Sequence, residues 1–236
     1  MGHEWYEVEW PWIGFGGAIA ILVLLFCTNF LKSNQNAVKW KDPEWLAWLC
    51  TAAYLIHNLE EYGVDIFGNL YAFPDCFQSI MAGSAAAMPD AFFMAINIPA
   101  FWVTFPLIAV YSKKHPWASP VLAAGLFTNA VSHTIPFLVG VGYTPGAFTA
   151  IVLFYPISIW AGVALFGKGK LPYRWMAVCI MVFLVGYAVL LGSAKLYISG
   201  MISEAALVVF EALNGPLCFG LAFLASKIKG GVLLLR

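Results

Sequence analysis

Seven stretches of this chain are apolar over about 17–25 residues each, the length a helix needs to cross the hydrocarbon of a bilayer. In lipid every backbone polar group must be satisfied within its own segment, so such a chain has little choice but to form a helical bundle. The expected spans run roughly over 11–31, 44–62, 89–111, 117–138, 146–166, 173–192 and 203–225. Pro11, Pro43, Pro89, Pro116, Pro145 and Pro172 stand at or just before predicted starts, where a missing N–H does no harm. Trp10, Trp12, Trp40, Trp45, Trp117 and Trp175 gather at the same boundaries, as an aromatic interface belt does. Hydrophobic residues make up 62% of the chain and charged ones 10%, well below the roughly 25% of a soluble domain. The expected fold is an all-α membrane protein, a bundle of about seven transmembrane helices in one polytopic domain over residues 1–236. No internal repeat or second domain is evident.

Basic residues set an orientation. Lys32, Lys39 and Lys41 fall in the first connection, Lys113 and Lys114 in the third, and Lys168, Lys170 and Arg174 in the fifth. Lys227, Lys229 and Arg236 follow the last span. The alternate connections hold only Lys195, and the N-terminus carries Glu4, Glu7 and Glu9. The alternation predicts an outside N-terminus and a cytoplasmic C-terminus. No signal peptide is expected in the acidic stretch Met1 to Glu9, and Tyr6 stands where a myristoylation signal needs Ser or Thr. A net charge of zero gives no sign of nucleic-acid binding. Cys27, Cys50, Cys179 and Cys218 lie in apolar segments and Cys76 in a loop; none form a C-x-x-C pair, and all read as unpaired.

Against this apolar background the ionisable residues are conspicuous. His57, Glu60 and Glu61 fall in the last turns of the second span. On a helix the two carboxylates lie about −60° and +40° around the axis from His57, so the three share one broad face. A charge at the centre of a bilayer costs roughly 2.5–3.5 kcal/mol on insertion scales, which makes such a cluster a functional-site candidate. Asn129 and His133, four residues apart on the fourth span, lie in its outer part. At 1.5 Å per residue, His57 and His133 sit at matching depths of about 7 Å below the outer boundary. Asp90 and Asn97 on the third span, and Glu204, Glu211 and Asn214 on the seventh, also fall in outer halves. The first and sixth spans have no ionisable residue inside them and read as lipid-facing walls, with the second, third, fourth and seventh around a polar cavity. The connection 63–88 holds Phe67, Leu70, Tyr71, Phe73 and Phe77, and is expected either to fold onto the membrane surface or to cover the bundle.

His and carboxylate side chains from facing helices are how bundles build metal sites. The expected ligands are His57, Glu60, Glu61 and His133, holding a divalent metal ion, Zn or Fe, with a position left open for water or oxygen. Either carboxylate could serve as a base instead, and Tyr143 could lend a phenol proton. Glu211, deep and without a basic partner in sequence, is a further catalytic candidate; Asn129 and Asn97 are candidates for substrate binding. The bland readings are that a membrane His hydrogen-bonds two helices, that Glu61 faces water, and that Glu204 and Asp90 cap helices. His3 and His115 read as bystanders. The spacing H-x-x-E-E differs from the H-E-x-x-H zinc motif, so the protease reading does not transfer.

The segment His57-Asn58-Leu59-Glu60-Glu61-Tyr62-Gly63, with Thr128 to His133 and Tyr143-Thr144-Pro145-Gly146 after it, resembles the HXXEE-domain family over about residues 45–160. These are small prokaryotic membrane proteins without a settled reaction, so the resemblance implies a site, in a prokaryotic cytoplasmic (inner) membrane, and no substrate. It leaves out the last span with Glu204 and Glu211. The function expected first is a membrane-embedded metal-dependent enzyme, hydrolase or oxidoreductase, acting on a lipid or other apolar small molecule. The alternatives are a transporter or metal-handling protein using the same cluster, and a structural subunit of a membrane complex; a homo-oligomer is compatible with each. A retinal protein is excluded, because no lysine precedes Lys227 in the last span.

Overall fold

A computed structural model describes residues 5–81 and 87–228. His3, Glu4, Lys229 and Arg236 lie outside them, as does the 82–86 part of the connection 63–88. The described residues are all helical apart from loops and two isolated β-bridges, Val64 with Leu70 and Phe166 with Leu171. Helix α1 is Trp5–Cys27. α2 is Pro43–Asn58 and runs on without a break into a π-helical turn, Leu59–Gly63. α3 is the short helix Ala72–Met81. α4 is Asp90–Ser112, α5 Pro116–Leu138, α6 Ala147–Leu165, α7 Tyr173–Ile198 and α8 Glu204–Lys227. Six of these, all but α2 and α3, are long and apolar enough to cross a membrane. The chain is an integral membrane protein by that measure.

The predicted boundaries hold within a few residues for α2, α4–α6 and α8, and three ends differ. Helix α1 begins at Trp5 instead of at Pro11, which lies inside it. It also stops at Cys27, because Lys39 reaches back and donates from Nζ to the carbonyls of Leu25, Phe26 and Thr28 at 2.9, 3.1 and 2.8 Å. An ammonium there satisfies the carbonyls that a helix end leaves open. Helix α7 runs to Ile198, beyond the predicted 192. Helix α2 starts as read, with Pro43 in its first turn and Asp42 as its cap, accepting from Trp45 N at 3.0 Å and from Ser33 and Asn34.

Helix α2 is the least apolar of the long helices because it is the most enclosed. Twelve of the sixteen residues in Pro43–Asn58 are buried, and α1, α4, α5 and α6 all pack against it. A helix wrapped in protein does not need a lipid-facing surface, so it can carry Thr51, His57 and Asn58 inside. By contrast α1 leaves Ile13, Ile19, Val23 and Phe26 exposed. Helix α8 lies along α7 and against α4. Helix α3 closes one end of the bundle, where Phe73 and Phe77 join a second apolar cluster with Tyr62, Phe92 and Phe93. The predicted interfacial connection thus contains a helix, and Cys76, read as a loop residue, lies on it.

Candidate metal centre

The end of α2 meets the end of α5 and the start of α6 beneath α3. His57, Glu61 and His133 come together there, each buried. One ligand atom from each lies within 4.8 Å of the others. His57 Nε2 is 3.5 Å from Glu61 Oε2, and His133 Nε2 is 3.2 Å from Glu61 Oε1. The two imidazole rings stand nearly perpendicular, with centroids 4.8 Å apart.

Gly146 makes this approach possible. It stands in the turn between α5 and α6 with φ +94°, a left-handed conformation that suits glycine. A Cβ added there would come within 2.7 Å of Cε1 of both His57 and His133. The backbone of this turn is therefore the wall against which both rings rest.

The hydrogen-bond network fixes which nitrogen each ring turns inward. The Thr149 hydroxyl donates to Glu60 Oε2 at 2.6 Å, so it accepts from His57 Nδ1 at 2.7 Å. The Thr144 hydroxyl donates to the backbone carbonyl of His133 at 3.2 Å and faces His133 Nδ1 at 3.4 Å. His57 therefore carries its proton on Nδ1 and turns the Nε2 lone pair toward Glu61, and His133 either takes the same tautomer against Thr144 or donates from Nε2 to Glu61 Oε1 at 3.2 Å. The form protonated on Nδ1 is the ligating tautomer, set by an outer hydrogen bond. His57 Nε2 is buried and has no hydrogen-bond partner among the described residues.

A lone pair facing a buried carboxylate repels it, and a proton or a metal ion between the two removes the conflict. Ligands about 2.0–2.2 Å from a tetrahedral ion lie about 3.3–3.6 Å from one another, a spacing close to the two N···O separations here. The donor set, two imidazoles and one carboxylate, is that of hydrolytic zinc sites and of iron facial triads. The residues present therefore fit a divalent ion.

Glu60, also expected as a ligand, is turned to other work. Its carboxylate accepts from Tyr143 OH at 2.8 Å, from Phe148 N at 3.1 Å, and from Thr149 N and Oγ1 at 2.7 and 2.6 Å. It caps the start of α6 and anchors the hydroxyl that orients His57. Burial and the neighbouring Glu60 carboxylate hold the Tyr143 phenol above its ordinary range, so Tyr143 keeps its proton and donates.

Glu61 is held from the other side. Asn58 Nδ2 donates to Glu61 Oε2 at 3.2 Å and to Asn97 Oδ1 at 2.8 Å, while Trp102 Nε1 donates to Asn58 Oδ1 at 2.7 Å. Asn97 also accepts from Tyr54 OH at 2.7 Å. Asn97 thus stands behind Glu61 as well as on the cavity wall. Thr149, Thr144, Asn58 and Trp102 carry no charge; Asn58 and Thr144 stand within the motif segments without a role read for them, and no sequence signal set Thr149 and Trp102 apart from ordinary helix residues.

Glu211 is elsewhere. It is fully buried between α7 and α8, accepting from Ser193 Oγ at 2.6 Å and Asn214 Nδ2 at 3.2 Å. Glu204 is the exposed first residue of α8, and Asp90, the first of α4, accepts from Tyr71 OH at 2.9 Å.

A cavity of about 320 Å³ opens beside the trio. Glu61, His133, Asn129 and Asn97 line it, together with Phe73 and Phe77 of α3 and Phe183 and Tyr187 of α7. Asn129 lies one turn from His133, and its Oδ1 is buried without a hydrogen-bond partner among the described residues. The cavity corrects two expectations. Its lining is mainly apolar instead of polar, and α7, read as a lipid-facing wall, forms part of it.

The fold and this cluster define a polytopic helical membrane protein with a buried His/Glu site. Residues 48–161 match the model of the family described as "Protein of unknown function with HXXEE motif", so the stretch that builds the cluster is an HXXEE-motif region. No curated protein and no solved structure matches the chain. Helices α7 and α8 lie beyond the matched residues.

Proposed function

We propose that this protein is a membrane-embedded metal-dependent enzyme that acts on a lipid or other apolar small molecule. The observation that carries the reading is the pair of inward-facing imidazole nitrogens on one buried carboxylate, opening onto a mainly apolar cavity. When bound, Zn²⁺ would supply a Lewis acid and an activated water, and iron would supply redox chemistry. His57, Glu61 and His133 hold the ion; Glu60 keeps His57 in register through Thr149. Asn129 orients the substrate, Tyr143 holds the Glu60 carboxylate, and the apolar wall and α3 exclude bulk water. The cavity lining ends at Phe105, Phe183 and Cys218, which supports a pocket over a transport route.

The enclosing position of α2, about 31 Å long over 43–63 at 1.5 Å per residue, supports a seventh crossing. With the lysine distribution this gives an outside N-terminus, a cytoplasmic C-terminus and a site in the outer half of a cytoplasmic (inner) membrane. The test is elemental mass spectrometry on protein purified without added metal. About one equivalent of zinc or iron in the wild type, lost in both His57→Ala and His133→Ala, supports the centre. Absence of any metal from folded wild-type protein would sink it.

A further inference from the structure

We infer that the substrate is a single straight-chain amphiphile, held with its polar linkage beside Glu61 and His133 and its methyl end at a floor about 12 Å away. The inference rests on the enzyme reading above and names the class of molecule that fits its cavity. The cavity is a shaft running along the helices. On α4 its wall extends from Phe92 to Phe105, thirteen residues or about 20 Å of helix. On α5 it extends down to Gly125, eight residues and about 12 Å beyond His133.

There the shaft stops. The Phe183 ring lies so close to Gly125 that a Cβ at that glycine would come within 2.6 Å of it. Phe105 packs on Tyr54 with ring centroids 5.2 Å apart, and Cys218 Sγ fills the space beside Gly186. Midway down, Ser132 Oγ and Tyr187 OH hydrogen-bond each other at 3.0 Å, so neither demands a partner from the ligand.

The volume of about 320 Å³ is at the small end of ligand pockets, which favours one chain over two. An extended chain advances about 1.2 Å per bond, as in extended backbone, so the distance to the floor takes up about ten bonds. Lipid tails are as apolar as this wall, so a short chain gains little per methylene on leaving the bilayer. Selection arises at the floor: a longer chain must bend, or lift its polar end away from Glu61 and His133.

The experiment is native mass spectrometry of the full chain released from nanodiscs loaded with saturated n-alkanoic acids of about six to eighteen carbons at equal mole fraction. Occupancy in the wild type should stay level to about ten carbons and fall at least tenfold by about fourteen. Phe183→Ala lowers the floor and should move the fall to chains about three carbons longer. Cys218→Phe fills it and should move the fall to shorter ones, which keeps the test available if the first variant does not fold. Occupancy without a length limit, or a limit that neither variant moves, overturns the inference. His57→Ala separates the two readings: a retained length limit supports the shaft whether or not the wild type holds metal, and metal in a wild type that lacks a limit leaves the enzyme reading standing alone.

Discussion

At Thr149 one hydroxyl oxygen meets His57, Glu60 and the carbonyl of Gly146, and the direction of its proton decides what His57 offers to the site. Thr149→Val keeps the shape and removes the relay. Metal affinity, measured by chelator competition, should fall about 10–100-fold, and Thr149→Ser should restore most of it. Glu61→Gln keeps the volume but loses the charge, and should abolish stoichiometric metal in the same assay. His57, Glu61 and His133 were legible in the sequence because charge in hydrocarbon is rare; Thr149 was not, since threonine is ordinary in a helix and its contact crosses 92 residues, while Thr144 stood in the Tyr143-Thr144-Pro145-Gly146 segment with no role attached. The two glutamates, read as a pair, face different partners. The 100° between successive residues that put both near His57 also sends Glu61 toward α5 and Glu60 toward α6. Asp65, in the connection after α2, supplies a pH prediction. Burial works to raise its pKa, and hydrogen bonds from the side chain and backbone of Asn69 and the backbone of Phe67 outweigh it, leaving the carboxyl below its usual range. Its contribution is fully present above the unfolded pKa of about 3.9 and is lost as pH falls through the lower folded value. Thermal stability should therefore drop below about pH 4, and Asp65→Asn should flatten that part of the profile.

At the scale of elements, the turn into α6 is the piece on which the site depends. Gly146→Ala places a methyl between the two imidazoles and forces a left-handed alanine, a backbone cost alone of about 1–2 kcal/mol. The variant should lose bound metal and melt earlier, whereas Gly142→Ala, also at positive φ but with open space around it, should melt earlier and keep metal. Three π-helical turns, Leu59–Gly63, Ile98–Val103 and Ala150–Phe154, lie around the cluster, each next to a residue of its network. Such turns often mark functional sites, and hydropathy does not reveal them. Proline punctuation located most helix starts; it failed at Pro11, where the helix tolerates the residue. Helix α3 was hidden because ten half-apolar residues between two spans read equally as a loop.

For the molecule as a whole, the apolar runs made the helical bundle legible from the sequence alone, while the role of α7 was not. A helix without ionisable residues can face lipid on one side and a cavity on the other, and Phe183, Gly186 and Tyr187 do the second. Seven crossings place the termini on opposite sides. Reporter fusions after Lys114 and after Lys227 should both read cytoplasmic, and one placed ahead of Trp5 should read external; the same side for all three would remove the crossing by α2. The limits of the HXXEE match have a consequence of their own. The cluster residues fall inside 48–161, whereas Phe183, Gly186 and Cys218 at the shaft floor fall outside it. On the reading proposed above, Phe105 and Gly125 of the floor share the stretch of the reacting groups, and the rest of the molecular sizing is written in the last two helices. Exchanging the last two helices would then retune what is admitted while leaving the reacting groups untouched, a division of labour within one bundle.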